Sequence, residues 1–157
     1  MLEIMFRDAD ERDIPTIVAI TQAAFREYEG VLDPPSSVRD ETPAKVRAKL
    51  QEGVTVLALL NEDAIGAVYF SPHSAYTYMG RLAVLPAWRG QGVGAALVAH
   101  VEARARSLGS GRVRLGVRIA LPHLRAMYER LGYRVVEERS HAGYSAPTYV
   151  MMEKDLL

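Results

Sequence analysis

Cysteine is absent from this 157-residue chain. That excludes disulfides, a thiolate nucleophile and zinc–thiolate sites. No apolar run approaches the ~20 residues of a membrane-spanning helix. The N-terminus also has no basic segment leading into an apolar one, so no secretory signal is expected. An excess of one charge is missing as well: 19 Lys+Arg meet 19 Asp+Glu. No overall field therefore draws the chain to nucleic acid or to an anionic membrane, and neither partner is expected. A cytoplasmic protein is the simplest reading. What is present, 49% apolar and 24% charged residues, suits a folded globular domain. A chain of this length buries roughly 70% of the surface its unfolded form exposes.

Along the chain the elements alternate, with no repeat and no linker, so residues 1–157 are expected to form a single domain. Leu2 to Arg7 reads as a short strand. A helix is expected from about Asp10 to Glu27, with Ile14, Ile17, Val18, Ala24 and Phe25 on one face. A turn-rich stretch from Gly30 to Glu41 follows, holding Pro34, Pro35, Ser36 and Ser37. Thr42 and Pro43 form an N-cap and a first-turn proline for a short helix that Gly53 ends. Val54 to Leu60 and Ile65 to Ser71 bracket Asn61-Glu62-Asp63-Ala64 as a hairpin. A strand from Ala75 to Leu85 leads into a glycine-rich turn. The next helix buries Val93, Ala96, Leu97 and Val101 and closes with Arg104, Arg106 and Gly109. From Arg112 to Ile119, Val113, Leu115, Val117 and Ile119 alternate against Arg112, Arg114, Gly116 and Arg118. A helix over Pro122 to Leu131 carries Leu124, Met127, Tyr128 and Leu131 on one stripe. Strands near Tyr133 to Arg139 and Thr148 to Lys154 complete the chain. This order predicts an α/β fold, a mixed sheet of about seven strands with helices on both faces.

The glycine-rich turn, Val84-Leu-Pro-Ala-Trp-Arg-Gly-Gln-Gly-Val-Gly-Ala-Ala-Leu97, carries the most information. A strand, a turn with Gly90, Gly92 and Gly94, and a helix N-terminus make an anion site from backbone alone. The first helical amides lack intrahelical acceptors, and the dipole leaves partial positive charge there. A P-loop would need Lys and Ser/Thr after the last glycine, where Ala95 and Ala96 stand. A dinucleotide fingerprint would need a third glycine at Leu97 and an acidic residue about 20 positions on. Neither is present. The pattern Arg/Gln-x-x-Gly-x-Gly/Ala is met by Arg89, Gly92 and Gly94. Here the chain resembles the GNAT family of acetyl-CoA-dependent N-acetyltransferases. "MYERLGYRVV" and "TYVMMEKDL" are similar to that family's later helix and closing strands, and the resemblance covers most of Arg7 to Leu156.

The resemblance implies a mostly antiparallel central sheet. It also implies that acetyl-CoA is held by Leu82, Ala83 and Val84 along its pantetheine arm. Its pyrophosphate would lie on Arg89, Gly90, Gln91, Gly92, Val93, Gly94 and Ala95. Arg89 has two open roles, a phosphate contact or a hydrogen-bonded turn residue, and Trp88 reads as an exposed residue that packs the turn. The resemblance further makes Tyr128 the residue that protonates the leaving thiolate. The asparagine often found seven residues earlier is replaced by Leu121.

Acetyl transfer also needs a neutral amine, and an amine of pKa ~10.4 is about one part in a thousand deprotonated near pH 7. Some members place Glu or His on the strand before the loop. Here that position is Tyr78, and Tyr76, Gly80 and Arg81 supply no base either. Deprotonation through ordered water touched by Tyr78 is expected. His73 and His141 read as surface residues.

The acceptor groove is expected along Tyr28 to Glu41 and the loop His141 to Pro147. Glu27, Glu29, Asp33 and Asp40 are candidates to attract an amine, and Arg81 or Arg118 to hold a carboxylate. The expected partner is a small-molecule or peptide amine. No metal is expected, and a homodimer is allowed. A non-catalytic acyl-CoA sensor on the same fold and a dinucleotide-binding oxidoreductase fragment are the alternatives.

Overall fold

Asn61 and Glu62 both adopt positive φ, 51° and 73°. Two such residues in succession make a tight turn whose twist matches that of paired strands. Strand β2 (Val54–Leu60) therefore returns at once as β3 (Asp63–Pro72), with Leu60 opposite Asp63. The expected four-residue connection is thus two residues too long, because Asp63 and Ala64 already belong to the strand.

The computed structural model describes residues 3–157, which divide into two compact units. One runs up to Ser71 and includes Arg81–Val101; the other comprises Pro72–Gly80 and Glu102–Leu157. Seven strands hydrogen-bond in the order β1-β2-β3-β4-β5-β7-β6. Here β1 is Met5–Asp8, β4 Thr77–Val84, β5 Arg112–Arg118, β6 Arg134–Arg139 and β7 Tyr149–Asp155. The pairs β1–β2, β2–β3, β5–β7 and β6–β7 are antiparallel; β4–β5 is parallel. Four α-helices complete this mixed α/β fold, as the order of elements predicts. Of the expected first strand, Leu2 lies outside the described residues.

In the first unit, α1 (Ile14–Phe25) is entered through a single 3-10 turn closed by a capping box between Asp10 and Asp13. Helix α2 (Pro43–Glu52) begins where the Thr42 side chain accepts from the Lys45 amide, with proline in its first turn, and ends at Gly53. Ile14, Ile17, Ile20 and Ala24 of α1 and Val46 of α2 pack with Leu57, Ala67 and Ala83. Neighbouring strand residues face opposite sides, and Gly66 shows what covers the other one. A Cβ there would meet Leu97 and Val93 of α3 (Val93–Ser107) at 3.1 and 3.3 Å. Phe6 of β1 also stacks on His100 of α3, centroids 4.5 Å apart. Helices thus cover both faces of this part of the sheet.

In the second unit the alternation of β5 holds for Val113, Leu115 and Val117, all buried. Ile119 is exposed, contrary to the predicted stripe, because β5 ends at Arg118. Helix α4 (Pro122–Arg130) buries Tyr128. Close by, Glu102 is buried and fully engaged. The Tyr133 hydroxyl donates to it at 2.9 Å and the Lys154 ammonium at 3.1 Å. Tyr133→Phe would leave that carboxylate short of one donor in a dry setting. It is expected to lower stability by about 1–3 kcal/mol, read as a lower urea midpoint with an unchanged slope.

Candidate active site

β4 ends at Val84, and a 3-10 turn over Pro86–Trp88 carries the chain to Arg89. Gly90 and Gly92 then take positive φ, 74° and 86°. For both, a Cβ would find no heavy atom within 4 Å. Packing therefore does not require glycine at either position. Backbone conformation does, and it leaves open space over the turn. Gly94 differs, since a Cβ there would touch Val84 at an ordinary 3.8 Å.

The Ala96 amide donates to the Gly92 carbonyl at 3.0 Å, so the amides of Val93, Gly94 and Ala95 precede the helical ladder. Buried Val93 anchors the helix start, while Gln91 and Ala95 are exposed. The helix dipole adds partial positive charge at this end. An open cradle with donor amides and no acidic side chain of its own fits a pyrophosphate.

Arg89 turns toward α1. One guanidinium nitrogen engages the Glu27 carboxylate and another donates to the Ala24 carbonyl at 2.6 Å. Of its two open roles, its donors here serve local hydrogen bonding at the C-terminal end of α1, where a cation is favoured. Trp88 is half-buried rather than exposed. On β4, Ala83 is buried in the core and Leu82 and Val84 are half-buried.

The two tyrosines of the expected chemistry both lie in the second unit. Tyr128 is 8% exposed and meets Tyr133 edge-on, ring centroids 5.8 Å apart. Burial, with a smaller contribution from neighbouring Tyr78, pushes its phenol well above the ordinary tyrosine range. The hydroxyl accordingly keeps its proton at any physiological pH. It can donate a hydrogen bond and cannot act as a base.

Tyr78, half-buried, folds back along its own strand. A Cβ on Gly80 would lie 2.7 Å from the Tyr78 hydroxyl and 3.0–3.1 Å from ring carbons. The ring rests where Gly80 has no side chain. Gly80→Ala is thus expected to turn the Tyr78 ring aside. The change should show as an altered near-ultraviolet tyrosine signal and, if Tyr78 serves catalysis, as lower kcat.

Leu121 is buried, and its carbonyl accepts from the Leu124 amide at 3.0 Å. Where the family pattern has a polar side chain, this chain places an apolar one in the core.

Two pairings escaped the sequence reading. Glu41 is buried, paired at 3.2 Å with Arg81, which also donates to Ser37 at 3.1 Å. Arg81 has a φ of 54° in the middle of β4. Its charge serves this internal contact rather than a substrate carboxylate. Glu102 is the other, and a signal for it exists: it adjoins the apolar stripe Val98, Val101, Ala105. His141, expected at the surface, is half-buried, with its backbone amide bonded to the Thr148 hydroxyl at 2.9 Å. Among the described residues no helix is long and apolar enough to cross a membrane, and no group of three or more His, Asp or Glu could hold a metal ion.

A family model described as "Acetyltransferase (GNAT) family" matches residues 17–133. No curated protein matches the chain. Among solved structures, the PaiA N-acetyltransferase of Thermoplasma acidophilum, in complex with coenzyme A, is 17% identical. It superposes with a TM-score of 0.83 over 98% of this chain and 99% of that one. The ribosomal-protein-S18-alanine N-acetyltransferase of Escherichia coli is 17% identical, TM-score 0.78, over 98% and 94% of the two chains. An aminoglycoside 6'-N-acetyltransferase complexed with coenzyme A is 16% identical, TM-score 0.77, over 98% and 97%. At such identities the superpositions establish the fold, and the family model, spanning three-quarters of the sequence, establishes membership: this chain belongs to the GNAT acetyltransferase family.

Proposed function

We propose that residues 1–157 act as one acetyltransferase domain that moves an acetyl group from acetyl-CoA to a primary amine of a small molecule or peptide. Transfer is direct, in a ternary complex. The observation that carries this reading is the turn before α3. Its glycines at 90 and 92 have positive φ and open space above them, which packing alone does not explain. Backbone amides from Gln91 to Ala95 hold the pyrophosphate, and backbone groups of Leu82 to Val84 align the pantetheine arm as an added strand would.

Acetyl-CoA supplies the activated acetyl thioester. The chain's own residues supply proton management. The amine must lose a proton before it attacks, and with no carboxylate or imidazole from Tyr76 to Arg81, ordered water contacted by Tyr78 takes it. A carbon–nitrogen bond forms, the carbon–sulfur bond breaks, the nitrogen gives up its second proton to water, and the sulfur needs a partner for its new charge. Tyr128 fills that role. Because its phenol is held well above the ~8.5 of a thiol, full proton transfer to the sulfur is uphill. A strong hydrogen bond from the hydroxyl to the thiolate is the main contribution, and water completes the protonation.

Thermal denaturation with acetyl-CoA, coenzyme A and NADP tests the cofactor half of this reading. A midpoint raised by the first two and unmoved by NADP is expected, since a ligand of the folded state stabilises it by mass action. A shift with NADP alone would overturn it. The alternative, an acyl-CoA sensor, shares the cradle and needs no acceptor, so amine-dependent thiol release separates the two.

A further inference from the structure

We infer that an open cavity on the second unit binds the carboxylate of the acceptor, so that the preferred substrate is a small amine that also carries an acid. The inference rests on the acetyltransferase reading and names its substrate class. The cavity, about 330 Å³, is walled chiefly by Tyr78, Arg118, Arg139, His141, Tyr149 and Met151. Its volume is at the small end for a ligand site, suited to a molecule of amino-acid size. Its floor is the β5–β7 pair, where Arg118 lies opposite Tyr149 and Gly116 opposite Met151.

The chemistry of the lining is one-sided. It contains two guanidinium groups, two phenols and an imidazole, and no carboxylate. Arginine stays charged at all working pH values, and its planar fork matches a carboxylate. The acid beside the cavity, Glu137, accepts from Arg139 at 2.9 Å and from Arg114 at 3.2 Å. Arg114 is paired with Glu153 as well, at 3.4 Å, and the lining itself, with two guanidiniums and no carboxylate, keeps positive potential over the opening. Such a field attracts an anionic group and repels a polycation. Burial, and after it the charge of Arg118, push the His141 imidazole below its ordinary value, so at neutral pH it adds a hydrogen-bonding group and no second proton. Tyr78 forms part of the wall and is near enough to Tyr128, in the same unit, to add to the burial that raises that phenol. A carboxylate held here would therefore be anchored beside the residues proposed to manage protons.

The test uses matched pairs: lysine with cadaverine, arginine with agmatine, tyrosine with tyramine, and spermidine as a polycation. Thiol release gives kcat/KM for each, and acetyl-CoA binding is followed separately by thermal shift. At least one amino acid is expected to exceed its decarboxylated partner by tenfold or more in kcat/KM, with spermidine inactive. Arg118→Gln and Arg139→Gln are each expected to reduce that ratio about tenfold while the acetyl-CoA thermal shift persists. Equal values within every pair, preference for the decarboxylated amines or spermidine, turnover of no amino acid, or a ratio unmoved by both variants would overturn the inference. A missing acetyl-CoA shift would instead overturn the cofactor site on which it depends.

Discussion

Tyr128→Phe is expected to slow acetyl transfer by roughly 10²–10³-fold, the usual cost of removing one hydrogen-bond donor to a developing negative charge. The ring, its edge-on packing against Tyr133 and its burial in the second unit are retained. Only the hydroxyl is lost, so stability and acetyl-CoA affinity should change little. If Tyr128 were simply a core residue, its removal would cost about 1 kcal/mol of stability and leave turnover intact. The pH profile adds an independent check. Since burial holds the Tyr128 proton to far above neutrality, the wild-type rate should show no loss assignable to tyrosine ionisation up to about pH 10, the ordinary tyrosine value. A rate that falls there, in wild type and not in Tyr128→Phe, would contradict the assigned role.

Gly92→Val is the second large effect. The φ of 86° at this position lies where a β-branched residue is strained, at a cost of order 1–3 kcal/mol in stability. The new side chain would also enter the open space above the turn, where a phosphate must approach the amides of α3. Each charge-assisted hydrogen bond lost there should weaken binding by about 1.5–3 kcal/mol, tenfold or more in affinity. Calorimetry with acetyl-CoA on folded protein reads this directly. Unchanged affinity would remove the turn from the cofactor site. Gly94→Ala serves as the comparison, because its Cβ meets only an ordinary contact with Val84 and the fold should tolerate it.

Local rules explain why so much of the architecture could be read from residues alone. Thr42-Pro43 and Gly53 bound α2 because capping and a proline in the first turn are decided within a few residues. The apolar alternation of β5 survives in full within the strand: Val113, Leu115 and Val117 are buried, while Arg112 and Gly116 are exposed. The glycine turn was legible for the same reason: strand, left-handed glycines and helix start follow one another along the chain. What stayed hidden depends on distance. Arg81 and Glu41 are 40 positions apart, and each alone looks like a surface charge. Arg89 finds the end of α1 only after both segments fold, which is why its role stood open. The hairpin at Asn61 forms where it is expected, with a turn two residues shorter, because Glu62 takes a left-handed conformation that its side chain does not advertise. Ile119 continues a pattern whose strand has already ended. Gly80 read as a plain strand residue, although its missing side chain is what makes room for the Tyr78 ring.

The most direct measurement is release of free coenzyme A thiol from acetyl-CoA by the wild-type protein across a panel of amines, with the N-acetylated product identified by mass spectrometry. Thiol release that depends on an amine, matches the product mole for mole and falls by at least 10²-fold in Tyr128→Phe is the predicted result. Acetyl-CoA binding with no amine-dependent thiol release from any member of the panel would contradict the enzyme reading and leave a sensor in its place.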